Sequence, residues 1–323
     1  MNVQKQAAWI GMDLGGTNIK FGLVLANGTI HLQKKLDSEI PFGYKYVFDK
    51  IAGYTRELIH AAGSDFVVKG FGIGVPGLID IKNQMLVEAS NFPGWKNVKI
   101  GYELEKRLDF KVSVDNDANL AALGEYKFGA GRGVTEMLMV TLGSGVGSGL
   151  ILNGAIYHGS RSAAGEFGHT IIQKDGPLCA CGRRGCVEAF VGKYGIQRRI
   201  KELLVDYPRS ILREIEPHNI TPEDIYNAAV KGDKTALLLF QEVGESLGVG
   251  LGNVANLLNL ERVVIGGGIS NAGELIFKPA RETLAQIAFK TNFETITLVP
   301  AHLGENAGLV GSACLAMQIS EKF

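Results

Sequence analysis

Asn116 and Asp117 stand where the apolar, β-rich run KVSV gives way to ANLAALGE, a composition that favours helix. An Asp at such an edge is ordinarily a helix N-cap. The dipole of the helix would also keep that carboxylate ionised, and a weak base suffices for phosphoryl transfer, because in a loose transition state the hydroxyl proton leaves late. A second candidate is Asp13-Leu-Gly-Gly-Thr-Asn-Ile-Lys20. Here Gly15 and Gly16 let backbone amides approach a phosphate, Asp13 could hold hydrated Mg2+, and Thr17, Asn18 and Lys20 add polar groups. A lone pair of glycines would read as a plain turn, but Gly143-Ser144-Gly145 repeats the design. In IGGGIS, Gly267 and Gly268 offer bare backbone on which an adenine ring could lie, although tight packing of strand on helix explains them almost as well. His169, Cys179, Cys181 and Cys186 form a His-x9-Cys-x-Cys-x4-Cys pattern, the soft donor set of a closed structural Zn2+ site.

Two patterns carry no such chemistry. Gly72-Ile-Gly-Val-Pro-Gly77 matches a dinucleotide fingerprint by letter, but Pro76 and LIDIK do not open the helix that would bind pyrophosphate. A Walker A lysine motif is also missing from the sequence, so phosphate is expected on the paired glycine turns. The 33 basic residues balance the 33 acidic ones, which gives no electrostatic footprint for nucleic acid or an anionic membrane. Residues 137–160 carry no Asp, Glu, Lys or Arg, yet six glycines, three serines and Asn153 argue for buried strands and turns rather than a membrane span. Three of the four cysteines fall within eight residues, which suits metal binding in a reducing compartment, so a cytoplasmic location is expected. The apolar stretch Ala7 to Met12 is too short for a signal peptide. Cys314, in an apolar helical run, reads as a buried thiol.

The elements that must position these groups show a duplication. AAWIGMD, a glycine turn, IKFGLVLANGTIHLQ and the hairpin signal Asn27-Gly28 predict a three-stranded meander. MLMVT, LGSGVG and SGLILNGAIYHG repeat it, with Leu142-Gly143 answering Leu14-Gly15 and Asn153-Gly154 answering Asn27-Gly28. At 323 residues the chain is long enough for two α/β domains, and each glycine turn is expected to face a shared ligand cleft. Tyr46 to Ala62 has helical spacing, residues 193–260 are mostly helical, and Thr221-Pro-Glu-Asp starts a helix with both cap and N1 proline. Glycine supplies 43 residues against a usual share of roughly 7%, an excess expected at turns and ligand contacts. The expected domains are 1–117 with 309–323, and 118–308; the terminal helix crossing back to the first domain rests on analogy.

In order along nearly the whole chain, DLGGTNIK, VPG, NDANLAALGE, LGSGVGSG, GEFGH and CACGRRGCVE resemble the motifs of the ROK family (repressors, open reading frames, kinases), specifically its sugar kinases. The resemblance implies an actin-like, hexokinase-type (ribonuclease H-like) pair of α/β domains. It also implies a sugar kinase using ATP and Mg2+, with Asn116 binding the sugar and Asp117 as base. Glu166, His169 and Glu188 match the family's remaining sugar ligands, and Gly77 of VPG joins the candidate sugar site. Zinc on one nitrogen of His169 would orient the other toward a sugar hydroxyl. The string Asn91-Phe-Pro-Gly-Trp95 resembles the Asn-x-x-Gly-Trp loop of ROK glucokinases, so glucose phosphorylated at its 6-hydroxyl is the expected reaction. N-acetylmannosamine and N-acetylglucosamine are the alternative substrates; a non-catalytic sugar sensor is the alternative class. After Glu188 the chain reads AFVGKYG, where many family glucokinases carry a small Ala-Ser segment. The family's repressors add an N-terminal helix-turn-helix, whereas 12 residues precede Asp13 here, so a DNA-binding regulator is not expected. The expected partners are sugar, ATP and further copies of the chain in a dimer or tetramer.

Overall fold

The computed structural model describes residues 5–320; the outermost residues of the expected first domain, 1–4 and 321–323, lie outside them. The contacts divide the described residues into two compact units. The first takes its residues from Met1–Thr135, Gly149–Gly165 and His302–Phe323, the second from Glu136–Ser148 and Glu166–Ala301.

In the first unit β1 (Gln6–Leu14), β2 (Asn18–Leu25) and β3 (Ile30–Asp37) form the antiparallel meander expected from the sequence. Helix α1 (Tyr44–Ala62) buries Val47, Phe48, Ile51, Ala52, Thr55 and Leu58, a stripe at helical period. Strand β4 (Phe66–Val75) lies parallel to β1, and β5 (Leu78–Asp80), β6 (Met85–Glu88) and β7 (Lys96–Val98) make a small antiparallel sheet. After the short α2 (Ile100–Glu105), β8 (Val112–Asn116) pairs parallel with β4 and leads directly into α3 (Asp117–Phe128). The main sheet is ordered β3-β2-β1-β4-β8. Gly72 sits inside β4 and no helix follows, so the fingerprint-like string is strand, as the sequence implied.

A second sheet repeats the plan. Strands β9 (Met137–Leu142), β10 (Val146–Leu152) and β11 (Ala155–Ile156) give the second meander. Helices α4 (Glu188–Val191), α5 (Lys193–Asp206), α6 (Pro222–Val230) and α7 (Lys234–Leu258) follow. The start of α6 has the cap and N1 proline read from the sequence, and the structure adds a capping box in which Thr221 and Asp224 exchange side-chain-to-backbone bonds. Strand β12 (Arg262–Gly266) lies parallel to β9, and α8 (Glu274–Ile287), α9 (Lys290–Thr295) and β13 (Thr297–Pro300) complete the order β11-β10-β9-β12-β13. Helix α10 (Ala307–Ser320) then packs on β1, β4 and α3 of the first unit. Cys314 is buried in it, as expected, and burial pushes its thiol up to about 12.

The domain limits differ from those expected at 117/118 and 308/309. Helix α3 belongs to the first unit because it packs along α10 with backbone nearly touching backbone. A Cβ on Gly311 would lie 1.7 Å from the Leu120 carbonyl oxygen, and one on Gly72 1.8 Å from that of Ser312. Gly244, Gly248 and Gly252 play the same part on the face of α7 that meets α8. Much of the glycine excess therefore serves close packing of elements, not only the turns and ligand contacts expected from composition. Gly311→Ala should destabilise the protein by about 1–3 kcal/mol or more through overpacking. A lowered urea midpoint checks this; an unchanged one would mean that α3 and α10 separate at little cost.

Candidate active site

The acceptor-side candidates of the first unit gather at the ends of β1, β4 and β8. Asn116, not Asp117, is the N-cap of α3: its Oδ1 accepts the N–H groups of Ala118 (2.9 Å) and Asn119 (3.2 Å). This corrects the capping reading of Asp117, which is the first helical residue, half-buried, with Oδ1 accepting the Ala118 N–H at 2.9 Å. Asn116 Nδ2 donates to the Gly77 carbonyl at 3.1 Å, which joins two of the expected sugar residues. Gly77 has φ +100°, and a side chain there would run into the Glu88 carbonyl. Exposed Asn91 is held by Phe92 and Trp95, both buried in an aromatic cluster with Phe48 and Tyr44.

The turn after β1 approaches that loop. A Cβ on Gly16 would stand 3.4 Å from Cβ of Asn91, and the turn is closed by Gly15 N–H to Asn18 O at 2.9 Å. Ser38 fixes its outer side, donating from Oγ to Gly16 O (2.8 Å) and from N–H to Thr17 O (2.9 Å). Asp13 is half-buried; burial pushes its carboxyl up from the usual carboxylate range, while Lys20 pulls it back. The Lys20 ammonium is held by the Glu305 carboxylate and carbonyl, so the expected phosphate ligand is engaged in an ion pair.

In the second unit the turn Gly143-Ser144-Gly145 connects β9 to β10 and is closed by Gly143 N–H to Gly145 O. A Cβ on Gly145 would meet Glu188 Oε2 at 2.5 Å, so a side chain there would push that carboxylate aside. Gly267, φ +87°, backs onto the Leu142 backbone, which supports the packing reading of that glycine, whereas Gly268 is open. Gly143 and Gly268 line a cavity of about 690 Å³ together with Lys193, Glu223, Tyr226 and Asn271. Those last four were missed in the sequence; the capped start of α6 was the available signal for Glu223 and Tyr226. The volume lies in the range of small-molecule sites.

Beside this turn lies the cysteine cluster. The ligand atoms of His169, Cys179, Cys181 and Cys186 all lie within 4.8 Å of one another and could hold a metal ion. Nδ1 of His169 stands 3.8 Å from Cys179 Sγ, and Cys181 Sγ 3.7 Å from Cys186 Sγ. Burial first, with Cys181 and Glu188 beside it, pushes the Cys179 thiol up to about 12. Burial opposes ionisation of Cys181 too, but the Arg183 backbone N–H and the flanking thiols outweigh it and bring Cys181 down to about 7. Three crowded sulfurs thus share little negative charge without a cation, and a divalent ion would reverse that. Glu188, at the start of α4, links cluster to turn: Oε2 accepts the Val146 N–H at 2.9 Å and Oε1 lies 3.4 Å from Cys179 Sγ. Exposed Glu166 precedes the 3-10 turn Phe167–His169, which Ser148 Oγ holds by accepting the Phe167 N–H at 3.1 Å.

The model of the ROK family matches residues 9–319. The chain belongs to the ROK family. It is 36% identical over 308 residues to the glucokinase of Thermotoga maritima, with 95% of this chain and 96% of that protein covered. It is 35% identical over 316 residues to the glucokinase of Halalkalibacterium halodurans, with coverage of 96% and 95%. The crystal structure of a ROK family glucokinase from Streptomyces griseus in complex with glucose and AMPPNP matches with a TM-score of 0.80 at 33% identity, covering 96% of this chain and 99% of that one. The fold is thus the actin-like, hexokinase-type α/β fold of ROK sugar kinases, as the motifs implied. Among the described residues, no helix of this ROK protein is long and apolar enough to cross a membrane.

Proposed function

We propose that this protein is an ATP-dependent glucokinase that phosphorylates the 6-hydroxyl of glucose. The observation that carries the reading is the β8–α3 corner, where Asn116 caps the helix and the Asp117 carboxylate stands at the first helical position. The relatives from T. maritima and H. halodurans, matched over 95% or more of both chains, are glucokinases, and the S. griseus relative was crystallised with glucose and an ATP analogue. Asp117 accepts the proton of the attacking hydroxyl as the sugar oxygen bonds to the γ-phosphorus; the bond from that phosphorus to the bridging oxygen breaks, and ADP leaves. Gly77, Asn91 and Asn116 are the proposed sugar-binding residues at the β8–α3 corner, and Glu166, His169 and Glu188 are further proposed hydrogen-bonding groups for sugar. Gly16 and Thr17 offer amides and a hydroxyl to phosphate, as do Ser144 and Gly145, while the Gly15 and Gly143 amides close the two turns. The cavity beside Gly143 and Gly268 takes the adenosine end of ATP, with Tyr226 as an aromatic wall. Mg2+, held with ATP near Asp13, would neutralise phosphate charge.

The four-ligand cluster fits structural Zn2+. Zinc–sulfur bonds of about 2.3 Å in a tetrahedron require sulfurs about 3.8 Å apart, near the 3.7 Å separation of Cys181 from Cys186. His169 faces the cluster through Nδ1, which leaves Nε2 on the far side of the ring to meet a sugar hydroxyl. Three thiols in so small a space also favour a reducing, cytoplasmic setting.

A panel of glucose, N-acetylglucosamine, N-acetylmannosamine, fructose and allose under one ATP and Mg2+ condition tests the substrate. Glucose should give the highest kcat/KM, because a pocket that pairs hydroxyls penalises analogues leaving buried polar groups unmatched. If an N-acetyl sugar exceeds glucose by about tenfold, or ~1.4 kcal/mol of transition-state preference, the glucose assignment fails and the sugar-kinase assignment stands.

A further inference from the structure

We infer that His158 is a positioning residue for the Asn116–Asp117 corner, acting through the buried carboxylate of Asp115; the inference deepens the kinase reading and rests on it. Asp115 is 1% exposed. A carboxylate so buried persists only if its oxygens are paired. Its Oδ1 accepts the backbone N–H of Asn116 at 2.7 Å and Nδ2 of Asn119 at 3.0 Å. Its Oδ2 lies 2.7 Å from Nε2 of His158, so the ring must carry its proton on that nitrogen.

The contacts form one chain of constraint. Asp115 fixes the Asn116 N–H, Asn116 caps α3 through its Oδ1, and the capped turn sets the backbone from which Asp117 projects. His158 is the sole ring in that chain and the only member outside the β8–α3 segment. It lies in the loop after β11, where its own carbonyl accepts the Ala164 N–H at 3.1 Å and closes residues 158–164 into a compact turn. The charged groups of the adjoining elements are Asp115 on β8, Asp117, Glu125 and Lys127 on α3, and Arg161 on the loop itself. Among the described residues the charge acting on the ring is that of Asp115, whose hydrogen bond raises the imidazole above its ordinary 6.5 against the opposing effect of burial.

The loss of His158 would leave one oxygen of a buried carboxylate without its cationic partner. The carboxylate would then turn toward water, and the Asn116 backbone would move with it. A displacement of about 1 Å at a reacting group can cost about 10²-fold in rate.

Wild type, His158→Ala and His158→Gln are compared. In His158→Ala, kcat at pH 7 should fall about tenfold to 10²-fold, with KM for ATP within about twofold of wild type. In His158→Gln a neutral N–H replaces the ring donor without its charge, so kcat should recover only to the level that wild type shows once His158 is neutral. Wild-type kcat should decline as pH rises through the raised pKa of His158, and the Gln variant should lack that limb. The same ion pair stabilises the fold fully below pH 6.5 and is lost as pH rises through the folded value, so wild-type Tm should fall relative to His158→Gln over that interval. The Tm comparison needs no sugar and separates the two ideas. If wild type phosphorylates nothing, the kinase reading falls while the Tm curves still judge the ion pair. Parallel Tm curves for wild type and His158→Gln overturn the inference, as does a His158→Ala enzyme with kcat within about twofold of wild type and an unchanged pH profile. Should the Ala variant fail to fold, the Gln profile decides alone.

Discussion

Asp117→Asn should bind sugar and fail to turn it over. A general base contributes about 10²–10⁴-fold, and the amide cannot take the hydroxyl proton, so kcat should fall by about that factor. Glucose affinity should stay within about tenfold, or ~1.4 kcal/mol, since the amide keeps the size of the side chain and one oxygen. Helix α3 should be unaffected because its cap is Asn116 and the new carbonyl can still accept the Ala118 N–H. Calorimetric binding of glucose beside an ADP-release assay separates the two effects. Near-normal turnover by the variant would remove Asp117 from the mechanism.

Cys181→Ala should strip the metal and weaken the sugar site together. Even loss of an outer partner of a metal ligand typically costs about 10–100-fold in metal affinity or activity, and loss of a direct ligand should cost at least as much. Zinc content should fall from one per chain toward zero. The His169 ring would then lose the ion that fixes its orientation, and Glu188, 3.4 Å from Cys179 Sγ, would lose its fixed neighbour. KM for glucose should therefore rise by about tenfold or more. Elemental analysis of metal-replete wild type that finds no zinc would sink the assignment of the ion; an Ala variant with full sugar affinity would sink the coupling through His169.

The parts legible in the sequence were those written locally. Strands β1 to β3 and β9 to β11 announce themselves by apolar runs closed with Asn27-Gly28 and Asn153-Gly154, because hairpin chemistry needs only neighbouring residues. The cysteine spacing is equally local, and the four ligand atoms do converge. What stayed hidden depends on partners far along the chain. Gly72 looks like an ordinary strand glycine until α10 lies on it, and the membership of α3 in the first unit follows from its own packing against α10 at Gly311. Nothing near Glu188 says that its carboxylate meets the Val146 N–H 42 residues earlier. The cap fell one residue from where Asp117 suggested, since Asn and Asp cap equally well and sequence alone does not fix which one precedes the first helical residue.

Helix α10 also sets an order of events during synthesis. Its Ser312 Oγ donates to Met12 O across 300 residues, and the groove it fills is formed by β1, β4 and α3. At about 5–20 residues per second the ribosome needs about 15–60 s to pass from one of these partners to the other. Through that interval the second unit, whose residues end at Ala301, can close around its own core while the first sheet waits with a bare, glycine-floored face. The nascent chain is therefore most exposed to miscontact at its older end, and a holdase that shields β1 and β4 until α10 emerges should raise the yield of native protein more than one acting on residues 166–301.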